Sequence, residues 1–541
     1  MNRDLTRLAE RSFDLLVIGG GIHGLAAAYD AAQRGLAVAL VERDDFGSAA
    51  SSNHLKTVHG GLRYLQTADL KRMRESILER RTVARLAPHL LTPLPFLMPT
   101  YWKLTRSRLA MRVAFLADAV IGRDRNDGVA ARLRLPAGRI ISRAECLRLF
   151  PDVRAKGLTG GATWFDYQMR NTDRLTFAFA LAAAREGACL ANHLEAQRAL
   201  TEGKRVVGAR VRDVLTGDEF DVRARVTLNA AGAGAGRLMS AFGVAQSFPL
   251  LKAMNLVTRR PMSGPALASS TDDGRMLFVV PWNGLAVAGT SHSQEMCDVD
   301  ASAVSTQELQ KFIDEVNQAF PALRLTPDDV TLVHRGIVPA SKSRRGEIGL
   351  EGHYGIRDHA REGVEGAVSL IGVKYTTARG VAAEAVNLVV RKAGRIAACR
   401  TADVPLPGGD GGDLDVLVAG ARRQAPEQVD DESLRQIVET YGSGTDEVFA
   451  LARSQRALAG RVSPDAPVIR AQVVHAIRSE MACSLVDVVT RRLPLGAGRH
   501  PGQGVAEGCV AVMAGELIWS QSRVEQELLA LEQFYAPVRL L

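Results

Sequence analysis

The stretch FDLLVIGGGIHGLAAAYDAAQRGLAVALVE, residues 13–42, decides the fold. Residues 14–18 form a short apolar run typical of a buried parallel strand, and residues 25–34 form an alanine-rich helical pattern. Residues 37–41 predict a second strand. This order of strand, helix and strand predicts one βαβ unit, with a glycine-rich turn where the first strand meets the helix.

The turn fits the spacing G-x-G-x-x-G, with Gly19, Gly21 and Gly24 at the glycine positions. The first glycine permits a tight bend, the second lets a pyrophosphate approach the backbone, and the third lets helix and strand pack closely. Glu42 ends the second strand, where an acid accepts hydrogen bonds from an adenosine ribose. The segment therefore predicts a Rossmann-type site, and its place at the start of the chain favours FAD over a nicotinamide cofactor.

The composition is that of a large globular enzyme. The chain has 541 residues, 46% of them hydrophobic, and a mean hydropathy of −0.01. It can therefore bury large cores in roughly two or three domains. The formal net charge is +9, but the charges are scattered and form no basic tail. This distribution argues against nucleic-acid binding and favours an anionic substrate or lipid surface as partner.

The cysteines predict neither a disulfide framework nor a metal site, because they stand far apart with no C-x-x-C pair. A reducing cytoplasm is the expected compartment. No signal peptide or transmembrane helix is evident in the sequence. The cysteines are Cys146, Cys189, Cys297, Cys399, Cys483 and Cys509.

Residues 102–122 combine basic and apolar side chains at helical spacing, and two interpretations are open. A basic amphipathic helix can lie in a bilayer interface, which would place the protein peripherally on the cytoplasmic membrane face. The alternative, which we favour from the sequence, is a helix that packs its apolar side against the core. The side chains concerned are Trp102, Lys103, Arg106, Arg108, Leu109, Arg112, Val113, Phe115, Leu116 and Val120.

A change of pattern near residue 400 predicts a domain boundary. Pro405 and Pro407 are followed by four glycines within residues 408–412, which is typical of a linker. Nearly everything from residue 413 onward has a helical pattern. We therefore expect two regions, residues 1–400 and residues 401–541, the second of them helical.

Several blocks resemble the FAD-dependent, respiratory glycerol-3-phosphate dehydrogenases. The block HGGLRYL at residues 59–65, preceded by Ser51, Ser52 and Lys56, resembles a signature of that family. The blocks that resemble further family motifs are Pro281-Trp282 with Gly289-Thr290, KYTTAR at residues 374–379, and LPGG at residues 406–409. The resemblance covers nearly the whole chain. It implies an α/β fold of the D-amino-acid-oxidase type, with a Rossmann-type FAD-binding domain, an interleaved β-rich substrate domain and an all-helical C-terminal domain.

The resemblance also implies which residues bind FAD. A cation near the end of the ring that becomes electron-rich on reduction stabilises the reduced anion, which is the role implied for Lys374. The implied residues are Gly19, Gly21, Gly24 and Glu42 for the ADP part; Ser51, Ser52 and Lys56 for the pyrophosphate and flavin path; Gly60 and Gly61 beside the ring; Ala231 and Gly232 in a further turn; and Gly372, Lys374, Thr376 and Thr377 over the flavin.

On the substrate side the resemblance implies Arg63, Tyr64, Lys374 and Arg357 around the alcohol and phosphate. Each has a structural alternative, such as a surface ion pair for Arg357 or a core position for Tyr64. Histidines are candidate acid/base groups, although a single histidine is more often structural. The histidines considered are His59, His292 and His334.

Two departures from the family pattern concern the substrate. Val338 stands where the family carries an arginine that binds the substrate phosphate, and Asn255 stands where it carries a histidine. Loss of a bidentate guanidinium is a substantial change. We expect compensation from Arg335 or from the basic residues that follow, although these could equally be a solvated loop. The residues that follow are Lys342, Arg344 and Arg345.

The sequence thus predicts an enzyme that oxidises glycerol 3-phosphate to dihydroxyacetone phosphate and passes electrons to a quinone. A base would take the hydroxyl proton while hydride passes to the flavin. One alternative keeps the flavin chemistry on another polyol phosphate or on an unphosphorylated hydroxy or amino compound. A second alternative is a flavin-binding protein without turnover. The sequence leaves a homodimer open.

Overall fold

The computed structural model describes residues 1–102, 107–244, 248–271, 274–342 and 348–536. Among these residues the strands form an eight-stranded sheet, a ten-stranded sheet and a two-stranded hairpin. The strands are β1 (Ser12–Ile18), β2 (Val38–Val41), β3 (Thr57–Val58), β4 (Leu91–Tyr101), β5 (Arg139–Ile141), β6 (Leu158–Met169), β7 (Cys189–Ala191), β8 (Leu194–Glu202), β9 (Arg205–Asp213), β10 (Glu219–Asn229), β11 (Leu250–Thr258), β12 (Ala266–Ser270), β13 (Met276–Trp282), β14 (Leu285–His292), β15 (Val330–Lys342), β16 (Ile348–Leu350), β17 (Gly355–Asp358), β18 (Ala367–Ile371), β19 (Arg461–Ser463) and β20 (Ala466–Ile469).

Helices cover the eight-stranded sheet and make up most of the C-terminal region. Short 3-10 turns join several elements, including Leu62–Thr67 after the HGG block. The α-helices are α1 (Leu5–Glu10), α2 (Ile22–Gln33), α3 (Leu70–Leu86), α4 (Arg108–Ile121), α5 (Arg143–Leu149), α6 (Thr172–Arg185), α7 (Ala235–Ala241), α8 (Thr306–Ala319), α9 (Ala378–Lys392), α10 (Leu414–Gln424), α11 (Asp431–Tyr441), α12 (Asp446–Ser454), α13 (Arg470–Glu480), α14 (Leu485–Asp487), α15 (Gln503–Leu517) and α16 (Gln521–Tyr535).

The eight-stranded sheet contains the predicted βαβ unit. Its path runs β17-β18-β10-β1-β2-β7, and β1 pairs in parallel with both β2 and β10. Leu15, Leu16 and Val17 are fully buried, as expected for a central parallel strand covered on both faces. The strand, helix and strand predicted within residues 13–42 are confirmed as β1, α2 and β2.

The ten-stranded sheet is mostly antiparallel, and two separate segments of the chain supply its strands. Its path runs β16-β15-β11-β14-β13-β12-β4-β6-β3, with β5 beside β6. Strands β3 to β6 lie between β2 and β7 in the chain, and β11 to β16 lie between β10 and β17. This order confirms a Rossmann-type domain interleaved with a β-rich domain.

The C-terminal region is helical as predicted, but it is not all helical. Strands β19 and β20 form a short antiparallel hairpin. Val462, Val468 and Ile469 of this hairpin are buried, and Pro464 and Asp465 supply the turn. The expectation of an all-helical region was wrong here because two strands of three and four residues are too short to show a period-2 pattern.

The C-terminal helices pack against the rest of the chain through a shared core and a buried ion pair. Trp282 of β13 lies in one hydrophobic cluster with Met513 of α15. Asp45, which follows β2, accepts two hydrogen bonds of 2.7 Å from the guanidinium of Arg492, and both side chains are buried. The boundary near residue 400 stays a prediction, but the helices beyond it are part of the packing of the Rossmann-type domain.

Helix α4 agrees only in part with the core-facing interpretation of residues 102–122. Only Met111 and Phe115 of this helix are buried. The opposite side is an exposed apolar stripe, and we define the α4 stripe as Leu109, Val113, Leu116 and Val120. Lys103 and Arg106 lie outside the described residues. Within the described part of the chain, none of the helices combines the length and hydropathy that crossing a membrane requires.

Candidate cofactor and substrate site

The glycine-rich turn is packed so closely that side chains are excluded from it. A Cβ atom at Gly19 would lie 2.6 Å from the carbonyl oxygen of Ala230, and Gly19 has a φ of +109°. A Cβ atom at Gly24 would lie 1.9 Å from the carbonyl oxygen of Gly19. The turn therefore brings the end of β1, the first turn of α2 and the turn after β10 together. Ala231 and Gly232 lie in this last turn.

Polar side chains surround the N-terminus of α2. The carboxylate of Glu42 accepts hydrogen bonds from the N–H groups of Gly20, at 2.6 Å, and Asp44, at 2.9 Å. The Ser51 hydroxyl accepts one from the Ile22 N–H at 2.9 Å. A Cβ atom at Gly21 would lie 3.1 Å from that hydroxyl oxygen, so Gly21 and Ser51 border the same space. The predicted residues for the ADP part and the pyrophosphate are thus brought together.

Lys56 is a fully buried cation on the path from Ser52 into the molecule. Its ammonium donates to the carbonyl oxygen of Ser52 at 2.8 Å and lies 5.1 Å from the centre of the Trp282 ring. Burial lowers the pKa of Lys56 to about 8, although the charge of Asp173 opposes this shift. A positive charge that is held away from water favours a ligand with anionic or carbonyl groups.

The backbone of the HGG block, residues 59–61, is hydrogen-bonded to a buried ion pair. The N–H of Gly60 donates to Asp166 at 2.7 Å, and Asp166 also pairs with Arg80. Gly61 has a φ of +78°, and a Cβ atom there would lie 2.5 Å from the Tyr64 ring. These contacts fix the backbone of both glycines beside the segment that follows β18.

The segment after β18 closes over the same space. A Cβ atom at Gly372 would lie 2.2 Å from the ring of His23 in α2. The N–H of His59 points to the Thr376 hydroxyl at 3.4 Å, and both Thr376 and Thr377 are buried. The structure therefore gathers all the segments predicted to bind FAD along one path.

Buried polar atoms without a protein partner line this path. They include Nε2 of His23, of His54 and of His334, as well as the hydroxyl of Tyr64. A buried polar atom without a hydrogen bond typically costs about 1–3 kcal/mol, so such atoms indicate a polar ligand. Together with the glycine turn that a Cβ atom would fill, they fit the binding of FAD.

Tyr64 is the centre of the candidate substrate site. Its side chain is only 4% exposed, and two of the predicted cations lie over its ring. The Lys374 ammonium is 4.7 Å and the Arg63 guanidinium 5.3 Å from the ring centre. Lys374 also donates a hydrogen bond to the hydroxyl of Ser76. Arg63, Tyr64 and Lys374 are therefore brought together as predicted from the sequence.

Burial and neighbouring cations alter the proton affinities of this site. The pKa of Lys374 lies well below its usual value because of burial, and the charges of Arg63 and Arg72 lower it further. The pKa of His59 is also well below its usual value, through burial and then the charges of Lys374 and Arg63. The imidazole of His59 is therefore uncharged at pH 7, and its proton affinity is low while no anion compensates the neighbouring cations.

Other predicted substrate residues lie apart from this group. Arg357 is 55% exposed on β17 and forms an ion pair with Glu362 at 3.4 Å. This is the surface ion pair that was the structural alternative for Arg357. Strand alternation places Arg335 on the face of β15 opposite to Gly336, the residue that faces the loop containing Ala50. Lys342 is exposed, and Arg344 and Arg345 lie outside the described residues.

The histidine predicted from the family at Asn255 is replaced by a structural amide. Asn255 is fully buried, donates to Asn53 at 2.9 Å and accepts from the Thr290 hydroxyl at 2.8 Å. Both hydrogen-bonding ends of its side chain are occupied, so it connects the loop after β2 to the ten-stranded sheet.

Sequence reasoning missed two residues of the site. Arg72, in the first turn of α3, lies 4.4 Å from the centre of the Tyr64 ring. Asp166, in β6, orients Gly60 and Arg80. The position of Arg72 shortly after the HGGLRYL block was the only signal in the sequence, whereas Asp166 stands far from every motif.

Comparisons with known proteins identify the family. A model of the FAD dependent oxidoreductase family matches residues 14–388, and a model of the C-terminal domain of alpha-glycerophosphate oxidase matches residues 399–524. The chain is 30% identical to the glycerol-3-phosphate dehydrogenase of Synechocystis sp. over 97% of both chains. It is 32% identical to the mitochondrial glycerol-3-phosphate dehydrogenase of Bos taurus, over 98% of this chain and 74% of that protein.

A solved structure shows the same fold. The glycerol-3-phosphate dehydrogenase from Bacillus halodurans complexed with FAD superposes with a TM-score of 0.77 at 24% identity, covering 99% of this chain and 98% of that one. The D-amino-acid-oxidase type of fold inferred from the sequence is thereby confirmed. On the matching family models and full-length relatives, this chain belongs to the FAD-dependent glycerol-3-phosphate dehydrogenase family, and FAD is its cofactor.

Proposed function

We propose that this enzyme oxidises the secondary alcohol of glycerol 3-phosphate to dihydroxyacetone phosphate and delivers the electrons to a quinone at a membrane. The observation that carries the proposal is the group of cations around Tyr64, at the end of the path that fits FAD. A cationic group beside a redox cofactor suits an alcohol that carries a phosphate dianion. The relatives named glycerol-3-phosphate dehydrogenase support the same substrate.

Each residue of the site has a chemical task in this reaction. Bound FAD supplies the hydride acceptor. Arg63 and Lys374 would hold the substrate phosphate, and the Lys374 ammonium would also stabilise the negative charge of the reduced flavin. The unpaired Tyr64 hydroxyl would orient the substrate by a hydrogen bond. Once the substrate phosphate has compensated the cations that lower the pKa of His59, its imidazole would take the proton of the alcohol as the C–H bond breaks, leaving a carbonyl group.

The substrate can be tested by flavin bleaching. We expect anaerobic mixing of the purified yellow protein with glycerol 3-phosphate to bleach the flavin rapidly, whereas glycerol bleaches it slowly because the phosphate contacts are absent. Stopped-flow absorbance with glycerol, other polyol phosphates and amino acids as comparators measures this preference. Equal bleaching by glycerol and glycerol 3-phosphate would contradict the proposal, and bleaching by an amino acid alone would support an amino-acid oxidase instead.

The α4 stripe supports the membrane part of the proposal. Large apolar side chains rarely form a continuous exposed row on a protein that contacts only water. Arg108 and Arg112 are exposed on the same helix, and this combination suits an interfacial helix on anionic lipid.

A charge placed in the stripe should separate membrane binding from catalysis. We expect Leu116→Glu to reduce co-sedimentation with vesicles containing anionic phospholipid and to slow turnover with a vesicle-embedded quinone. Turnover with a water-soluble dye should be unchanged, because α4 holds none of the candidate catalytic residues. Ile396→Glu, at a fully exposed position outside the stripe, is the matched control. Undiminished vesicle binding by Leu116→Glu would contradict the contact between the stripe and lipid.

A further inference from the structure

We propose that Arg72 binds the phosphate group of the substrate and replaces the arginine that is absent at Val338. The proposal rests on the proposed oxidation of a polyol phosphate. It assigns the anion-binding function to the start of α3 rather than to β15, where Val338 and Arg335 lie.

The geometry places Arg72 in the candidate substrate site. Its guanidinium lies 4.4 Å from the centre of the Tyr64 ring. The Lys374 ammonium, at 4.7 Å, and the Arg63 guanidinium, at 5.3 Å, lie further away. Three cations therefore surround one buried phenol whose hydroxyl has no protein partner. A tetrahedral dianion can accept hydrogen bonds from such a set simultaneously.

The charges around Arg72 are only partly balanced by the protein, because Asp166 and Glu75 raise the pKa of Lys374 without forming an ion pair with it. Four other arginines of α3 each form an ion pair with a carboxylate: Arg74 and Arg81 with Asp124, Arg80 with Asp166, and Arg85 with Asp403. Within the described ranges, no carboxylate lies within 4.0 Å of the charged groups of Arg72, Arg63 or Lys374. The acidic neighbour on α3, Glu75, faces Lys71 at 3.9 Å.

Like charges held this close repel each other unless an anion lies between them. The low pKa of Lys374 is a consequence of that repulsion as well as of burial, because Arg63 and Arg72 are the next largest causes. A ligand that brings two negative charges removes this cost on binding. A phosphate monoester meets this requirement, and an unphosphorylated polyol does not.

Two variants of adjacent residues test the proposal. We expect Arg72→Ala to raise KM for glycerol 3-phosphate by roughly ten- to a hundredfold while kcat changes much less, because a charged hydrogen-bond pair to phosphate is lost. Lys71→Ala removes the same charge one position away, from a side chain that is 89% exposed, and should leave KM unchanged. Arg72→Lys should restore part of the affinity.

A binding measurement that needs no turnover separates this proposal from the proposed function. Titration of the oxidised holoenzyme with inorganic phosphate, followed by the flavin difference spectrum, should give a dissociation constant that rises for Arg72→Ala and not for Lys71→Ala. If the wild type fails to oxidise glycerol 3-phosphate but shows this pattern, the proposed function is wrong and the anion site stands. If Arg72→Ala retains FAD and keeps both the wild-type KM and the wild-type phosphate affinity, Arg72 has no such role. Should Arg72→Ala not fold, Arg72→Gln replaces it in both measurements.

Discussion

Replacing Gly24 with alanine is expected to remove most of the FAD from the purified protein. The added Cβ atom would lie 1.9 Å from the carbonyl oxygen of Gly19, so either the turn or the first turn of α2 must move. Overpacking of this kind typically costs about 1–3 kcal/mol, and more when the obstacle is backbone. Because the displaced groups are those predicted to receive the pyrophosphate, we expect the cost to fall on cofactor affinity, at roughly tenfold to a hundredfold or more. The ratio of flavin to protein absorbance measures the outcome.

A matched glycine in another helix controls for the substitution itself. Gly515 lies in α15, and a Cβ atom there would meet nothing within 4 Å. Gly515→Ala should keep its FAD and be slightly more stable, by up to about 1 kcal/mol, because alanine favours a helix. If Gly24→Ala bound FAD as tightly as Gly515→Ala does, the close approach of helix and turn would not be what makes the cofactor site.

Replacing Lys374 with methionine is expected to slow flavin reduction on the order of 10²–10³-fold, while FAD remains bound. Lys374 is partly buried, and its ammonium donates a hydrogen bond to Ser76 and lies over the Tyr64 ring. A buried cation acts strongly on charge that develops during the reaction, because little water screens it. Stopped-flow reduction by saturating glycerol 3-phosphate measures the rate, and Lys204→Met, at an exposed lysine remote from the site, is the control.

The pH dependence of the flavin reduction rate is a second measurement of the role of Lys374. The pKa of Lys374 is well below its usual value, and an ammonium group is charged only below its pKa. The wild-type rate should therefore fall as the pH rises through that lowered pKa, and Lys374→Met should lack this alkaline decline. Lys374→Arg, which stays charged across the range, should also lack it. An alkaline decline that persists unchanged in both variants would assign the titration to another group.

Local patterns in the sequence predicted the parts of the fold that local physics determines. The βαβ unit could be predicted because its strand and helix periods, its glycines and its terminal acid all lie within residues 13–42. The position of Arg72 could not be predicted, because its contact with Tyr64 depends on how α3 folds back over the HGG block. Periodicity revealed an apolar row in α4, but it could not tell which side of the helix the core covers.

On the substrate side, sequence proximity also failed to predict the direction of the Arg335 side chain. Its distance in sequence from Val338 suggested compensation, yet alternation along β15 places odd and even positions on opposite faces. The side chains of Arg335 and Val338, three positions apart, therefore point to opposite faces of the sheet. The register of β15 in the ten-stranded sheet, which arises from pairing with β11, decides which face meets the FAD path. Sequence proximity carries no information about that register.

The buried pair of Asp45 and Arg492 has a consequence for how the protein is made. These residues are 447 positions apart, so a ribosome completes the whole Rossmann-type domain before it adds the guanidinium that Asp45 requires. Breaking a buried pair in a folded protein by removing one partner typically costs about 3–5 kcal/mol. Until residue 492 has been synthesised, the carboxylate of Asp45 lacks both this guanidinium and the C-terminal elements that pack beside it. The cofactor-binding half therefore acquires this ion pair only after the C-terminal helices exist, and the packing around the end of β2 is completed last.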